Sequence, residues 1–188
     1  MKNVSAVVAV NSNWGIGNNN QLLYHIKEDM RRFKTLTENN VVIMGRKTFD
    51  SLPNRTPLSN RINVVITTDK HKQFTKKEFP EINAKLYYLP MYEVKKLLKR
   101  CKNKNIKEEI FVIGGQSIYE QLLQFCNNVY VTKIDDDKKA DTFFPNLDLD
   151  NRWNEYVTSC NTDLEKKLSF KFCIYSKEKE RNNDCINW

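Results

Sequence analysis

The sequence contains few residues that could bind a metal ion or act as a nucleophile. Among 188 residues there are only two histidines and five cysteines, and the cysteines are scattered without a C-x-x-C pair. This argues against a zinc site and predicts reduced thiols, so we expect no bound metal. No stretch approaches the roughly 20 apolar residues of a membrane span, and no secretory signal is visible, so we expect a cytosolic protein.

Glycine is also scarce, with five residues in the chain. Two apolar runs rich in β-branched residues end at Gly45 and at the pair Gly114-Gly115. Such a run predicts a buried strand, and a glycine after it lets a ligand approach the free N–H groups at a helix start. Because Arg46 and Lys47 follow the first junction, the pattern predicts an α/β protein that binds a phosphorylated cofactor.

The charge balance is basic, with a formal net charge of +8. The lysines cluster over 70–77 and 95–107. A positive surplus can attract nucleic acid, but it can equally steer an anionic metabolite into a cleft. Because these clusters lack the regularly interleaved aromatic residues of a single-strand binding groove, we interpret them as solvated surface.

Strand and helix patterns alternate over the first two-thirds of the chain, which predicts a single α/β domain. We expect a central, mostly parallel twisted sheet of about eight strands, with an antiparallel C-terminal edge and about four flanking helices. The predicted domain covers 1–177 and a polar tail covers 178–188, while 11–21 is predicted to be a loop. The predicted strands are 4–10, 41–44, 62–68, 85–89, 109–113, 129–134, 153–160 and 170–176.

Asp29 is a candidate for proton chemistry. It lies in a predicted helix over 26–36, beside Met30 and Phe33, which recur at helical spacing. At the border of this apolar stripe a carboxylate is partly desolvated, which raises its pKa and allows proton transfer near neutral pH. The alternative is an ordinary acid in the first helical turn, stabilised by the helix dipole and by Arg32.

A second candidate group consists of hydroxyl and basic side chains at strand ends. Arg46, Lys47 and Thr48 follow one predicted strand, and Thr67 and Thr68 end the next. They could bind a phosphorylated cofactor, or they could form a surface turn with helix-capping residues. Neither glycine junction matches G-x-x-x-x-G-K-[ST], so a P-loop nucleotidase is disfavoured.

In chain order, the motifs resemble those of dihydrofolate reductases, over about residues 4–176. They are G-I-G-x(4)-L, D-M-x-x-F, V-I-M-G-R-K-T-F-x-S-L-P, R-x-N-V-V-I-T, I-G-G-x-x-x-Y, a threonine, and D-T-x-F-P. The resemblance implies hydride transfer from NADPH to dihydrofolate with protonation of the neighbouring nitrogen. One alternative is a pyrimidine reductase of riboflavin synthesis, which is not expected to carry the Asp29 helix motif. The other is a non-catalytic nucleotide- or RNA-binding module.

The resemblance also implies the residues of the folate site. Asp29 would bind the pterin ring and promote its protonation, and Thr132 would support its carboxylate. Phe33 would pack on the benzoyl part, and Arg61 would grip the glutamate carboxylate, although an isolated arginine is more often a surface residue. The other implied residues are the backbone of Ser5, and Ser51, Leu52, Leu58, Ile113 and Tyr119.

NADPH is the implied cofactor. Its phosphates and adenosine end would contact Gly45, Arg46, Lys47, Thr48, Thr67 and Thr68. The nicotinamide side would face Gly114, Gly115 and Tyr119, and the remaining implied contacts are Val7, Ile16, Gly17, Gln116, Ser117 and Ile118. Since family members have a cis peptide bond between the paired glycines, the Gly114–Gly115 bond is expected to be cis.

The sequence departs from the family pattern after the Gly-rich loop. Where the family commonly has Leu-Pro-Trp, this chain has Leu22-Leu23-Tyr24. Tyr24 keeps a polar tip on an aromatic body. We expect it to act as a catalytic residue by holding the ordered water that the family's Leu-Pro-Trp segment holds. Leu23 lacks the rigidity that proline gives the family at its position. The remaining expectations are a monomer, a small-molecule substrate without nucleic-acid or membrane partners, and inhibition by antifolates.

Overall fold

The structure is a computed structural model that describes residues 4–101, 108–163 and 167–177. The predicted tail, 178–188, lies outside the described residues, as does part of the lysine-rich stretch 95–107. Within the described ranges, no helix has both the length and the apolar character needed to cross a membrane.

The described residues form helices and strands that alternate along most of the chain. The α-helices are α1 (Lys27–Thr37), α2 (Arg46–Asp50), α3 (Met91–Cys101) and α4 (Gln116–Leu122). The strands are β1 (Val4–Val10), β2 (Gly15–Asn18), β3 (Gln21–Leu22), β4 (Val41–Gly45), β5 (Ile62–Ile66), β6 (Lys76–Phe79), β7 (Ala84–Leu89), β8 (Ile110–Val112), β9 (Asn128–Ile134), β10 (Thr142–Phe143), β11 (Asn154–Asp163) and β12 (Leu168–Ser176).

Nine strands form the main sheet in the order β11-β12-β9-β1-β8-β4-β5-β7-β6. The strands from β9 to β7 in this order are parallel to one another. β11, β12 and β9 pair antiparallel, and so do β6 and β7. The predicted mostly parallel sheet with an antiparallel C-terminal edge is therefore confirmed.

Two parts of the sheet structure differ from the prediction. The main sheet has one strand more than expected, because β6 adds an antiparallel edge whose charged side chains gave no alternating apolar pattern. Residues 11–21 are not simply a loop, since β2 and β3 form a hairpin that pairs with β10 in a small second sheet. Asn19 and Asn20 have positive φ angles of 51° and 59° at the hairpin turn, as a type I′ turn requires.

β1 lies inside the main sheet and contributes to both of its faces. Val4, Ala6, Val8 and Val10 belong to the largest buried cluster, which also contains residues of α3 and α4. Side chains alternate along a strand, so Val7 points to the other face and packs in a second cluster with residues of α2 and β8. The sheet thus carries a structural core on one face, while the other face is left for the site described below.

The α3 helix offers a matched test of this packing, because two adjacent leucines differ in burial. Leu98 is 1% exposed and Leu97 is 43% exposed. Leu98→Ala leaves a cavity in the largest core cluster and should lower the free energy of unfolding by about 2–5 kcal/mol. Leu97→Ala should change it by no more than about 0.5 kcal/mol. Urea unfolding of both variants measures the difference, and equal losses would contradict this packing of α3.

Candidate functional site

The two glycine junctions lie side by side at the carboxyl ends of neighbouring strands. β4 pairs with β8 in parallel, and the backbone N–H of Gly45 donates a hydrogen bond to the carbonyl oxygen of Gly114 at 2.8 Å. The peptide bond between Gly114 and Gly115 is cis, as expected from the resemblance. The two motifs that first pointed to a cofactor are therefore parts of one surface.

Close packing explains why glycine occupies these turns. Gly114 has a φ of +114°, which L side chains rarely adopt, and a Cβ atom there would lie 3.1 Å from the ring of Tyr119. A Cβ atom on Gly45 would lie 3.0 Å from Cγ1 of Ile118. Side chains of α4 therefore leave no room for a Cβ atom at either turn, and we call Gly45 and the Gly114-Gly115 pair together the glycine cradle.

Two helices start at this cradle. α2 begins directly after Gly45 and α4 directly after Gly115, and no described side chain caps either N-terminus. The first N–H groups of a helix have no partner within the helix, so they are available to anionic oxygens. Thr48 adds a hydroxyl, because its Oγ1 lies 3.3 Å from where a Cβ atom on Gly115 would stand. This arrangement fits the phosphate groups of a dinucleotide.

The side chains predicted to bind the cofactor surround the cradle. Arg46 is exposed and forms an ion pair with Asp50, one helical turn later, at 2.6 Å. Lys47 and Thr68 are exposed. Thr67 is buried, and its hydroxyl oxygen accepts a backbone hydrogen bond from two residues further along the chain.

Asp29 and Thr132 connect α1 to β9. The Thr132 hydroxyl donates a hydrogen bond to Oδ1 of Asp29 at 2.6 Å. Burial raises the pKa of Asp29, while the Thr132 hydrogen bond and the charge of Arg32 act in the opposite direction. The net direction is upward, in agreement with the desolvation inferred from the sequence, so this carboxyl can exchange a proton nearer to neutral pH than an ordinary aspartate.

Arg61 is buried rather than a free surface residue. Its Nε donates to the hydroxyl oxygen of Thr37 at 2.8 Å, and one terminal nitrogen donates to the carbonyl oxygen of Ser59. The guanidinium lies 5.9 Å from the ring centre of Phe33. Thr37 in turn donates to the carbonyl oxygen of Phe33, so one helical turn of α1 orients both side chains.

Several predicted apolar residues do lie together. Leu52, Leu58, Ile113 and Val7 pack against one buried cluster on this face of the sheet. The Tyr119 hydroxyl donates to the carbonyl oxygen of Val7 at 2.7 Å, which links α4 to β1. We call Leu52, Leu58, Ile113 and Val7 the apolar wall of this face of the sheet.

The remaining predicted residues occupy different parts of this region. Ser5 is buried on β1, and among the described residues no group lies within hydrogen-bond distance of its hydroxyl oxygen. Ser51 is exposed and donates to the carbonyl oxygen of Thr48. The others lie on β2 or at the start of α4, namely Ile16, Gly17, Gln116, Ser117 and Ile118.

Tyr24 has a hydrogen-bond partner that the sequence did not indicate. Its hydroxyl donates to Oδ2 of Asp136 at 2.6 Å, and the neighbouring Lys138 donates to the carbonyl oxygen of Leu23 at 3.0 Å. Burial and the hydrogen bond to Asp136 both raise the pKa of Tyr24, so the hydroxyl keeps its proton. The polar tip of Tyr24 therefore attaches this segment to the loop after β9, and its role in holding an ordered water stays a prediction.

Comparison with known sequences identifies the family. The sequence pattern of the family described as dihydrofolate reductase matches residues 3–177, which is nearly the whole chain. The chain belongs to the dihydrofolate reductase family. The dihydrofolate reductase of Schistosoma mansoni is 34% identical over 191 residues, which cover 95% of this chain and 98% of that protein. The dihydrofolate reductase of Bacillus subtilis (strain 168) is 32% identical and covers 93% of this chain and 95% of its own.

A third relative, dihydrofolate reductase type 9 from Escherichia coli, is 34% identical, with 93% of each chain covered. Since these family members match this chain almost from end to end, the similarity includes both the glycine cradle and the helix that carries Asp29.

Three contacts in this dihydrofolate reductase family member were missed by sequence reasoning. Asp136 and Lys138 lie in a charged loop to which the sequence analysis assigned no role, yet both bind the segment at Tyr24. Tyr130 packs beside Arg32, with 5.8 Å between the guanidinium and the ring centre. A signal for Tyr130 existed, because it is two positions before Thr132 on a strand and therefore points to the same face.

Asp29→Asn should stabilise the protein at neutral and alkaline pH. Burial raises the pKa of Asp29 in the folded state, so the unfolded chain ionises first and ionisation favours unfolding. An uncharged amide removes this penalty, and its advantage should grow as the pH rises above about 4, until Asp29 is ionised in the folded state as well. Thermal unfolding measures the effect, and each kcal/mol gained raises the Tm of a chain of this size by roughly 2–4 °C.

Glu28→Gln is the matched control, since Glu28 is the exposed neighbour of Asp29 on α1. It should leave the Tm unchanged across the same pH range. A Tm for Asp29→Asn that stays at or below the parent value at alkaline pH would show that the buried carboxylate is not destabilising.

Proposed function

We propose that this protein reduces dihydrofolate to tetrahydrofolate with NADPH as cofactor. The observation that carries the proposal is the partly buried Asp29 carboxyl, which a hydrogen bond from Thr132 holds in place. Thr132 and the apolar wall lie on the same face of the sheet. Membership of the dihydrofolate reductase family supports it. One acid beside a cofactor cradle is what a reduction coupled to protonation needs.

Asp29 has the geometry to bind and protonate a pterin. Thr132 occupies Oδ1, and among the described residues Oδ2 has no hydrogen-bond partner. Oδ2 is therefore available to accept from the N–H groups of a substrate ring. Because burial raises the pKa of Asp29, the group can favour the protonated form of that ring near neutral pH, with the proton delivered through water.

Arg61 and Phe33 would orient the rest of the substrate. Nε and one terminal nitrogen of Arg61 are already bound, and the second terminal nitrogen has no partner among the described residues. A guanidinium held in this way loses little side-chain entropy when it binds the substrate carboxylate. Phe33 lies beside it and offers an aromatic surface to the benzoyl ring.

The glycine cradle would hold NADPH. Its bare backbone and two uncapped helix starts would bind the phosphates, with Thr48 and Arg46 nearby. When bound, the nicotinamide supplies the hydride for the reduction. The apolar wall of Leu52, Leu58 and Ile113 excludes water from the reacting atoms.

Neither alternative function explains the whole site. A pyrimidine reductase shares the cradle, but the Asp29–Thr132 pair and the held Arg61 fit a folate better. A polyanion-binding module has no use for a buried acid. We accordingly extend the proposal to a monomeric cytosolic enzyme, without nucleic-acid or membrane partners, that folate-like inhibitors such as antifolates would block.

Asp29→Asn should reduce the rate of dihydrofolate reduction by about 10²-fold or more, because the variant loses its proton-exchanging group. Glu28→Gln, on the exposed side of the same helix, should retain the parent rate. The measurement is the loss of NADPH absorbance with dihydrofolate, with and without methotrexate. A near-normal rate for Asp29→Asn at neutral pH would remove Asp29 from the mechanism.

Arg46→Ala should lower the preference for NADPH over NADH. Two charge-assisted hydrogen bonds to the extra phosphate, at about 1.5–3 kcal/mol each, would give a preference of roughly 10²–10⁴-fold. Arg46 already pairs with Asp50, so the phosphate would share or displace that carboxylate. The ratio of kcat/KM values for the two cofactors measures the loss.

Arg152→Ala is the control for this substitution. Arg152 is also exposed and also forms an ion pair with a nearby aspartate, Asp150, at 2.6 Å. Its replacement should leave the cofactor ratio unchanged. Equal use of NADPH and NADH by the parent protein would refute the assignment of Arg46.

A further inference from the structure

Arg32 is a partly buried arginine on the same helix as Asp29, three residues further on. Its guanidinium lies 4.3 Å from the ring centre of Phe172 and 5.8 Å from that of Tyr130. Among the described residues it forms no ion pair, so its charge is not neutralised by direct contact with a carboxylate. A buried cation held without such a contact is costly unless its position serves another purpose.

Hydrogen bonds connect Arg32 to the strands that support Asp29. One terminal nitrogen donates to the carbonyl oxygen of Val131 at 3.2 Å, and the other donates to that of Cys173 at 3.4 Å. Val131 directly precedes Thr132, whose hydroxyl holds Asp29. Arg32 and Asp29 therefore attach the same stretch of α1 to the same stretch of β9.

We infer that Arg32 is a positioning residue for the reduction, whose buried positive charge and two carbonyl contacts set the electrostatic field at the Asp29 carboxylate. The inference rests on the proposed function and extends it, since it names what controls the proton chemistry of Asp29. The guanidinium stays protonated throughout the neutral range, so it supplies a constant charge. That charge opposes the effect of burial and keeps Asp29 able to lose its proton as well as gain it.

The other titratable groups around this pair do not change charge in the relevant range. Tyr130 on β9 faces Arg32, whereas the thiol of Cys173 on β12 lies in the core on the opposite face of the sheet. Burial raises the pKa of both, that of Cys173 to about 12. Tyr119 on α4 is the further titratable group near Asp29, and burial raises its pKa as well. A change in the pH dependence on replacing Arg32 therefore reports on Asp29.

The test compares variants that separate charge from hydrogen bonding. Arg32→Gln removes the charge but can still donate a hydrogen bond, Arg32→Lys keeps the charge, and Arg31→Met removes an exposed charge one position away on the same helix. The readouts are the pH dependence of the hydride-transfer rate and the carbon-13 NMR titration of the Asp29 carboxyl, assigned with Asp29→Asn. The NMR titration needs no enzymatic activity.

In Arg32→Gln we expect two midpoints to rise by about one pH unit. The first is the pH above which hydride transfer slows, and the second is the midpoint of the NMR titration of Asp29. Arg32→Lys and Arg31→Met should stay close to the parent. A purely structural role would lower the rate or the Tm without moving either midpoint, and unchanged midpoints in Arg32→Gln would overturn the inference. If Arg32→Gln fails to fold, the same measurements are made on Arg32→Met, in which we expect the same rise of both midpoints.

The two proposals fail in distinguishable ways. If the parent protein does not reduce dihydrofolate while the NMR midpoint of Asp29 still rises in Arg32→Gln, the proposed function is wrong and the role of Arg32 stands. If the parent protein is active and neither midpoint changes in Arg32→Gln, the role of Arg32 is refuted and the proposed function stands.

Discussion

The parallel pairing of β4 with β8 is the constraint on which the site depends. Parallel neighbours end at the same edge of a sheet, so two glycine turns that are far apart in the sequence become adjacent. The hydrogen bond from Gly45 to Gly114 joins them directly. Because α2 begins directly after Gly45 and α4 directly after Gly115, this contact also brings the two helix starts and Thr48 close together.

The pKa of Asp29 depends on a balance between burial and the two neighbouring groups that oppose its effect. Burial raises the pKa of Asp29, while the Thr132 hydroxyl and the Arg32 charge favour its ionised form and lower that pKa. Neither opposing group comes from the cofactor cradle, since one lies on β9 and the other on α1. The residues that we propose to bind the cofactor therefore differ from the two groups that oppose the effect of burial on Asp29.

Local patterns were sufficient to predict much of this arrangement. The strands around Gly45 and Gly114 were visible as apolar runs. Helical spacing predicted α1 and the burial of Asp29, but it wrongly placed Met30 in the buried stripe, since Met30 is 44% exposed and Leu36 packs against the core instead. The β6 strand was missed because four largely charged residues at a sheet edge have no apolar face to alternate. The partner of Tyr24, Asp136, was missed because it is more than a hundred residues away and lies in a loop. Contacts between residues so far apart in the sequence depend on the tertiary fold, and the local spacing of apolar residues does not predict them.

The outermost strand of the sheet, β6, also affects how the protein meets other copies of itself. An edge strand presents unpaired backbone groups that could accept a strand from another chain. Here that edge carries Lys76, Lys77 and Glu78, all exposed, and Lys76 forms an ion pair with Glu78 at 2.7 Å. Strand addition would have to desolvate these charges, so this edge resists growth of the sheet into an intermolecular one and protects the folded protein against aggregation.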